Sequence, residues 1–340
     1  MFILTACSGT EEVAPPSPPT TEATTTAPAT TAITTTTTAT TAPEVVEVVR
    51  MPLTGTPLDE EAQIPQRPAL AVKLDNHPRA RPQAGLNEAD VVFEENVESL
   101  TRFAAVFHSQ DSDPVGPIRS GRSQDVGILS GLNNPLFAWS GGNAGVRQLI
   151  RNSDLVDLDA GFTPGYYRRS GRGGSPHNLY SSTEALWANT PENWKLPPRI
   201  FTYLDVDEAP EGEIANLIRV PMDGVRVRWE FDENTNTYLR FQNDGRHDTE
   251  TGQVSTDNVI VMAVTYQSSS IDRSSPEAQL VGSGPVAVFS RGLVRTGTWE
   301  RESINDVYAF VADDGEPIGL IAGRSFVLLA RAGDQFVTWE

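Results

Sequence analysis

The sequence is poor in several things, and each shortage narrows what the chain can be. One cysteine, Cys7, occurs in 340 residues, so no internal disulfide can form. No run of about twenty apolar residues occurs, so no transmembrane helix is expected. Of 26 basic residues only two, Lys73 and Lys195, are lysine; the rest are arginine. Basic charge is itself scarce. The formal net charge is −19, and only Glu11, Glu12 and Glu22 fall between Ser8 and Pro43, so the acid is carried by the remainder of the chain. A surface of that sign excludes nucleic acid as the main partner, because phosphate binding needs a basic face. The four histidines (His77, His108, His177 and His247) show no HxH or HxxxH spacing, and G-x-S-x-G is absent. Neither a metal nor a cofactor is expected, and no serine or cysteine nucleophile stands out.

What is present begins with Leu4-Thr5-Ala6-Cys7. An aliphatic residue, a small or hydroxylated one, a small one and then cysteine is the form of a bacterial lipobox. Cys7 is therefore the expected lipidation site, and the lipid a membrane anchor that leaves the protein extracytoplasmic. Residues 1–6 lack the basic start and apolar core of an export signal, so translation is expected to begin upstream of Met1. Residues 8–49 are rich in Thr, Pro and Ala, with too little apolar surface to repay the entropy of ordering. Stretched at about 3.1 Å per residue, they make a spacer on the order of 100 Å long.

Two folded regions are expected after the spacer, giving an α+β chain. A mixed α/β domain over 50–210 precedes a smaller antiparallel β-rich domain over 216–340. PALAVKLD (68–75), ADVVFEEN (89–96), RFAAVFHS (102–109) and FAWS (137–140) read as strands. RSQDVGILSGL (122–132) and NAGVRQLIR (143–151) read as helices, and Ser181-Ser182-Thr183-Glu184 as a helix start. In the second region Val225, Val227, Trp229 and Phe231 alternate with polar residues, and DENTN suits a hairpin turn. Further short strands follow at turn-separated intervals, the pattern of a small sandwich or barrel.

Polar residues interrupt the first region in dense clusters. Asp75, Asn76 and His77 follow an apolar strand, a common place for binding groups. Arg79, Arg81, Arg102, Arg119 and Arg122 fall close together, and the guanidinium fork grips carboxylate or phosphate. Glu94 is poised either to pair with those arginines or to serve acid–base chemistry. Ser120 sits in a kinked Gly-Pro loop, and His177-Asn178 in another polar loop.

Together PLTGTP (52–57), DNHPRARPQAGLNEADVVFEENVESLTRF (75–103), VGPIRSGR (115–122) and PHNLY (176–180) resemble the YerB-like family of bacterial lipoproteins. GRHDTETGQVSTDNVIV (245–261), GTWER (297–301) and GLIAGRSFVLL (319–329) follow the pattern more loosely. The resemblance implies a lipobox, a spacer, an α/β-type domain and a β-rich domain. It implies no reaction, because the family has no assigned activity.

The expected function is binding of an anionic cell-envelope ligand, such as a cell-wall fragment, by a surface-anchored module. The expected cleft comprises Asp75, Asn76, His77, Arg81, Glu94, Arg102, Arg119, Ser120, Arg122, His177 and Asn178. An envelope hydrolase or transferase is the alternative, with His77 or His177 as general base oriented by Asp75 or Glu94. It requires the two histidines in one cleft with a carboxylate in reach. A scaffold, with these motifs forming buried networks, is the third reading.

Overall fold

A computed structural model describes residues 48–340. Cys7, the lipobox and the spacer as far as residue 47 lie outside the described residues. The strands that build the two main sheets are, in chain order, β1 Leu70–Asp75, β2 Val91–Val97, β3 Leu100–Phe107, β4 Leu136–Trp139, β5 Val156–Asp159, β6 Leu217–Met222, β7 Val225–Asp232, β8 Thr237–Gln242, β9 Asn258–Val264, β10 Gly282–Ser290, β11 Leu293–Arg301, β12 Ala309–Ala312 and β13 Ser325–Arg331.

The larger sheet runs β12-β11-β10-β9-β13-β2-β3-β1-β4-β5, and Glu213–Ile214 adds a short pairing on β11. It takes strands from both sides of residues 210–216. The seam is β2 against β13, parallel, with Val91 opposite Ser325 and Glu94 opposite Leu328. β9 and β13 are parallel as well, so the C-terminal strands are not the antiparallel unit expected from their spacing. The second sheet is a meander of β6, β7 and β8, joined by Gly224 and by a turn over Asp232–Thr237, with short strands at its margins. The chain is richer in strand than the α+β expectation. Among the described residues its α-helices are short: α1 Gln124–Leu129, α2 Ala144–Arg151 and α3 Thr183–Trp187. α2 starts where Asn143 Oδ1 accepts from Val146 N at 2.9 Å, and α3 where Ser182 Oγ accepts from Ala185 N at 3.2 Å. The expected helix over 122–132 is α1 followed by a 3₁₀ turn, ended by Asn133 at φ 63°. No helix of the described residues is long and apolar enough to cross a membrane.

Both faces of the large sheet are covered. On one, Ala71, Phe93, Ala104, Val106, Ile260 and Met262 pack with Val126, Leu129, Trp139 and Ile150. On the other, Leu70, Val72, Leu74, Val92, Phe103 and Ala105 pack against Ile218, Val220, Trp229 and Tyr238 of the second sheet. Each fully buried aliphatic side chain contributes about 1.5–3 kcal/mol. Double coverage explains why β1, β2 and β3 show apolar runs such as VVF and FAAVF without a period-two alternation.

A charged network sits inside the second interface. Arg240 Nη2 of β8 donates to both Glu94 oxygens of β2 at 2.8 Å, and both side chains are fully buried. Arg240 Nη1 donates to Gln242 Oε1 at 2.7 Å and to His247 Nδ1. His247 Nε2 reaches Gln83 Oε1 at 3.0 Å, and Thr101 Oγ1 donates to Glu94 at 2.7 Å. Asn76 Nδ2 donates to Thr101 Oγ1 at 2.7 Å and to Gln242 at 3.1 Å. Removing one partner strands the other charge without water, at a cost of about 3–5 kcal/mol. Glu94→Gln and Arg240→Leu should therefore each lower the unfolding free energy by about that amount in urea denaturation. A loss near zero would show that the pair does not hold the sheets together.

Two histidines couple this packing to pH. Burial, then Arg67, pushes the His108 imidazole down to about 4. Burial, then Arg240 and Arg81, holds His247 well below its ordinary value. Both stay neutral when folded and take up protons when unfolded. Their contribution to stability is present above pH 6.5 and is lost as pH falls toward 4. Urea midpoints measured between pH 7 and 4.5 should show proton uptake on unfolding, and His108→Gln should reduce that uptake. An unchanged uptake would contradict the assignment.

Candidate functional site

β1, β4 and β5 run parallel, so their carboxyl ends lie together, the place where open α/β sheets gather binding groups. Residues 117–121 thread between the ends of β1 and β4. Asp75 N donates to Pro117 O at 2.9 Å, Arg119 N to Lys73 O at 2.8 Å, and Ser140 N to Arg119 O at 3.0 Å. This ladder fixes Arg119 and Ser120 beside Asp75.

Asp75 is the centre of the cluster. Its Oδ1 accepts from His77 N at 3.0 Å, and its Oδ2 lies 2.6 Å from His177 Nδ1. Arg119 Nε is 3.2 Å from the same Oδ2, as an ion pair outside hydrogen-bonding angle. The His77 and His177 rings stack with centroids 4.3 Å apart and planes at 18°. His77 also caps the 3₁₀ turn Pro78–Ala80, its Nδ1 accepting from Arg79 N at 3.1 Å. The loop bearing His177 closes on that turn so tightly that a Cβ at Gly173 would lie 2.2 Å from Arg79 O, and Gly173 has φ +46°. Burial, then His177, lowers the His77 pKa, so His77 is neutral at physiological pH.

Three guanidinium groups converge beside this cluster. Arg102 of β3 lies opposite Asp75 and Glu95, and its Nη1 donates to Ser120 O at 3.1 Å. Arg119 Nη1 donates to Ser120 Oγ at 3.1 Å. Arg122 donates to Gly121 O at 3.1 Å and to Glu98 at 2.8 Å. Burial, then Arg122 and Arg119, brings Arg102 down to about 10, so it remains charged at neutral pH. The buried Nε atoms of Arg119 and Arg122 have no hydrogen-bond partner. Asp75, Arg102, Ser120 and His177 are all under a tenth exposed. What faces solvent is a shallow rim of His77, Arg119 and Arg122. Chemically it can hold an anion, and the Asp75–His177 pair has the form of an oriented imidazole base.

Of the eleven residues singled out in the sequence, Asp75, His77, Arg102, Arg119, Ser120, Arg122 and His177 come together here. Asn76 and Glu94 lie across the sheet in the Arg240 network, fully buried. Arg81 joins them there, its Nη2 donating to Asn76 O and Oδ1 at 3.1 Å. Asn178 braces its own loop, accepting from Arg168 at 2.9 Å and donating to Arg169 O at 3.1 Å. The sequence reading missed Arg240, His247 and Gln83. His247 stands in the polar stretch Gly245-Arg246-His247-Asp248 yet is enclosed between the sheets. The alternation in β8, where Tyr238, Arg240 and Gln242 share the buried positions, was the available signal.

Two family models cover most of these elements. Residues 53–195 match the N-terminal domain of a protein of unknown function, DUF3048, and residues 218–327 match its C-terminal domain. The chain belongs to the DUF3048 family. It is 28% identical over 307 residues to the protein named "Putative lipoprotein YerB" of Bacillus subtilis (strain 168), covering 84% of this chain and 87% of that one. The crystal structure of YerB from Bacillus subtilis superposes with a TM-score of 0.73 at 23% identity, covering 86% of this chain and 99% of that chain. The sequence resemblance and the fold thus agree.

Proposed function

We propose that this DUF3048 protein is an extracytoplasmic lipoprotein, anchored through Cys7, that binds an anionic cell-envelope ligand on the Arg119–Arg122 rim, with the buried Arg102 behind it. The crowding of these three guanidinium groups, two with buried Nε–H groups that make no hydrogen bond, carries the reading. In a chain this acidic, cations brought so close repel one another, and a bound carboxylate or phosphate relieves that repulsion. The lipobox-like Leu4–Cys7 and the name of the Bacillus subtilis relative support the anchor. The acidic remainder of the surface disfavours nucleic acid as the anion. One observation favours the hydrolase or transferase alternative: Asp75 orients His177, and His77 stacks on it, in a single cluster.

The test is equilibrium binding of fluorescent soluble peptidoglycan fragments and, separately, of a phosphodiester-linked wall polymer. The full chain would carry Cys7→Ser to keep it free of lipid. Arg119→Ala and Arg122→Ala should each weaken binding about tenfold or more, the scale of a charge-assisted hydrogen bond. Unchanged affinity in both variants contradicts the binding site. Shortening of the added fragments that disappears in His177→Ala would establish the enzyme in place of the simple binder.

A further inference from the structure

Lys73 is a basic residue in the middle of LAVKLD, a strand whose six residues are all buried. Its side chain lies on the α1 face, with no solvent exposure. Two polar groups meet its Nζ: Glu95 Oε1 from β2, and Asp125 Oδ1 from the first turn of α1 at 2.5 Å. Both carboxylates are as fully buried as the lysine. β3 runs between β1 and β2, but it places Ala104 opposite both Lys73 and Phe93. A methyl group there leaves room for Lys73 and Glu95 to meet above it. The site thus holds one ammonium and two carboxylates in a dry core, an arrangement whose desolvation costs several kcal/mol per ion.

The two acids are not equivalent. Asp125 Oδ2 accepts from Arg122 N at 2.6 Å, which fixes the carboxyl group and leaves Oδ1 facing Lys73. Glu95 Oε2 has no partner at all. Burial, then Asp125, pushes the Glu95 carboxyl up to about 7, so it carries or releases a proton near neutrality. A nucleophile, a fixed electrophile and a proton carrier therefore share one water-free pocket.

We propose that Lys73 and Asp125 condense to an isopeptide bond, with Glu95 as the proton carrier. In the dry site a proton passes from the ammonium to the Asp125 carboxylate, giving a neutral amine and a neutral acid. The Nζ lone pair attacks Cγ, the Nζ–Cγ bond forms, and Nζ passes a proton to Glu95. The Cγ–Oδ1 bond then breaks, and Oδ1 leaves as water with a proton returned by Glu95. One ammonium and one carboxylate become one amide and one water; nothing is oxidised or reduced, and Glu95 ends unchanged. The retained Oδ2 keeps its bond from Arg122 N–H, and the new amide N–H faces Glu95. The product removes two buried charges and ties β1 to α1 covalently.

The experiment is mass spectrometry of the full chain, denatured and digested with trypsin. The expected finding is a linked pair of peptides, 51–79 and 123–147, uncleaved at Lys73 and lighter than their sum by one water, about 18 Da. Glu95→Gln should leave the two peptides separate, with cleavage restored after Lys73. The linked chain should also migrate faster than this variant in a denaturing gel, because a closed loop is more compact. Separate, unmodified peptides from the wild-type protein would overturn the proposal. A link from Lys73 to the peptide holding Glu95 would overturn the roles assigned to the two acids. The wild-type map decides the matter even if the Glu95 variant fails to fold.

Discussion

Everything at this site depends on the alternation of a strand that is buried on both faces. Successive side chains of β1 and β2 point to opposite sides of the large sheet, and both sides are packed. Neighbours in sequence therefore enter different environments. Asp75 turns toward His177 and Arg119, while Asn76 turns toward Thr101 and Gln242. Glu95 meets Lys73, while Glu94 meets Arg240. One short polar motif supplies two clusters with different physical tasks.

The clusters differ in how their charge is matched. Across the sheet, Arg240 Nη2 donates to both Glu94 oxygens and one buried cation faces one buried carboxylate, with the surrounding amides and hydroxyl adding further bonds. That face is closed, and it fastens β2 to β8 and so the first part of the chain to the second. At the strand ends, cations outnumber their close partners at the rim, and groups with hydrogen-bonding capacity are left over. A buried cation matched by its own carboxylate rigidifies; a group of cations in excess of their carboxylates can take an anion.

Much of the fold was legible in the sequence. The apolar runs at 68–75, 89–96 and 102–109 are strands, the alternation after Val225 is a strand, and Asn143 and Ser182 start helices. The sheet to which the later strands add was not legible, because the β2–β13 pairing joins residues more than two hundred positions apart. The site was legible as a set of residue types and misread as a single cleft. In strands buried on both faces the period-two signal disappears, so nothing in the text of DN or EE tells which neighbour goes where. Lys73 was hidden by the same effect: a lone cation in an apolar run says nothing of two acids arriving from β2 and α1.

The opposed faces leave a signature in the imidazole rings. His177 has Nδ1 toward Asp75, which makes its neutral form the Nδ1–H tautomer with Nε2 free. His247 has Nδ1 toward the Arg240 guanidinium, which can only donate, so it is the Nε2–H tautomer. Long-range ¹H–¹⁵N spectra of the histidine side chains, recorded on the full chain with and without inorganic phosphate as the anion, read both at once. The account predicts opposite tautomers for the two rings, with the His77 and His177 signals moving as phosphate is added and those of His247 staying fixed. Identical tautomers, or a response at His247 in place of His177, would contradict it.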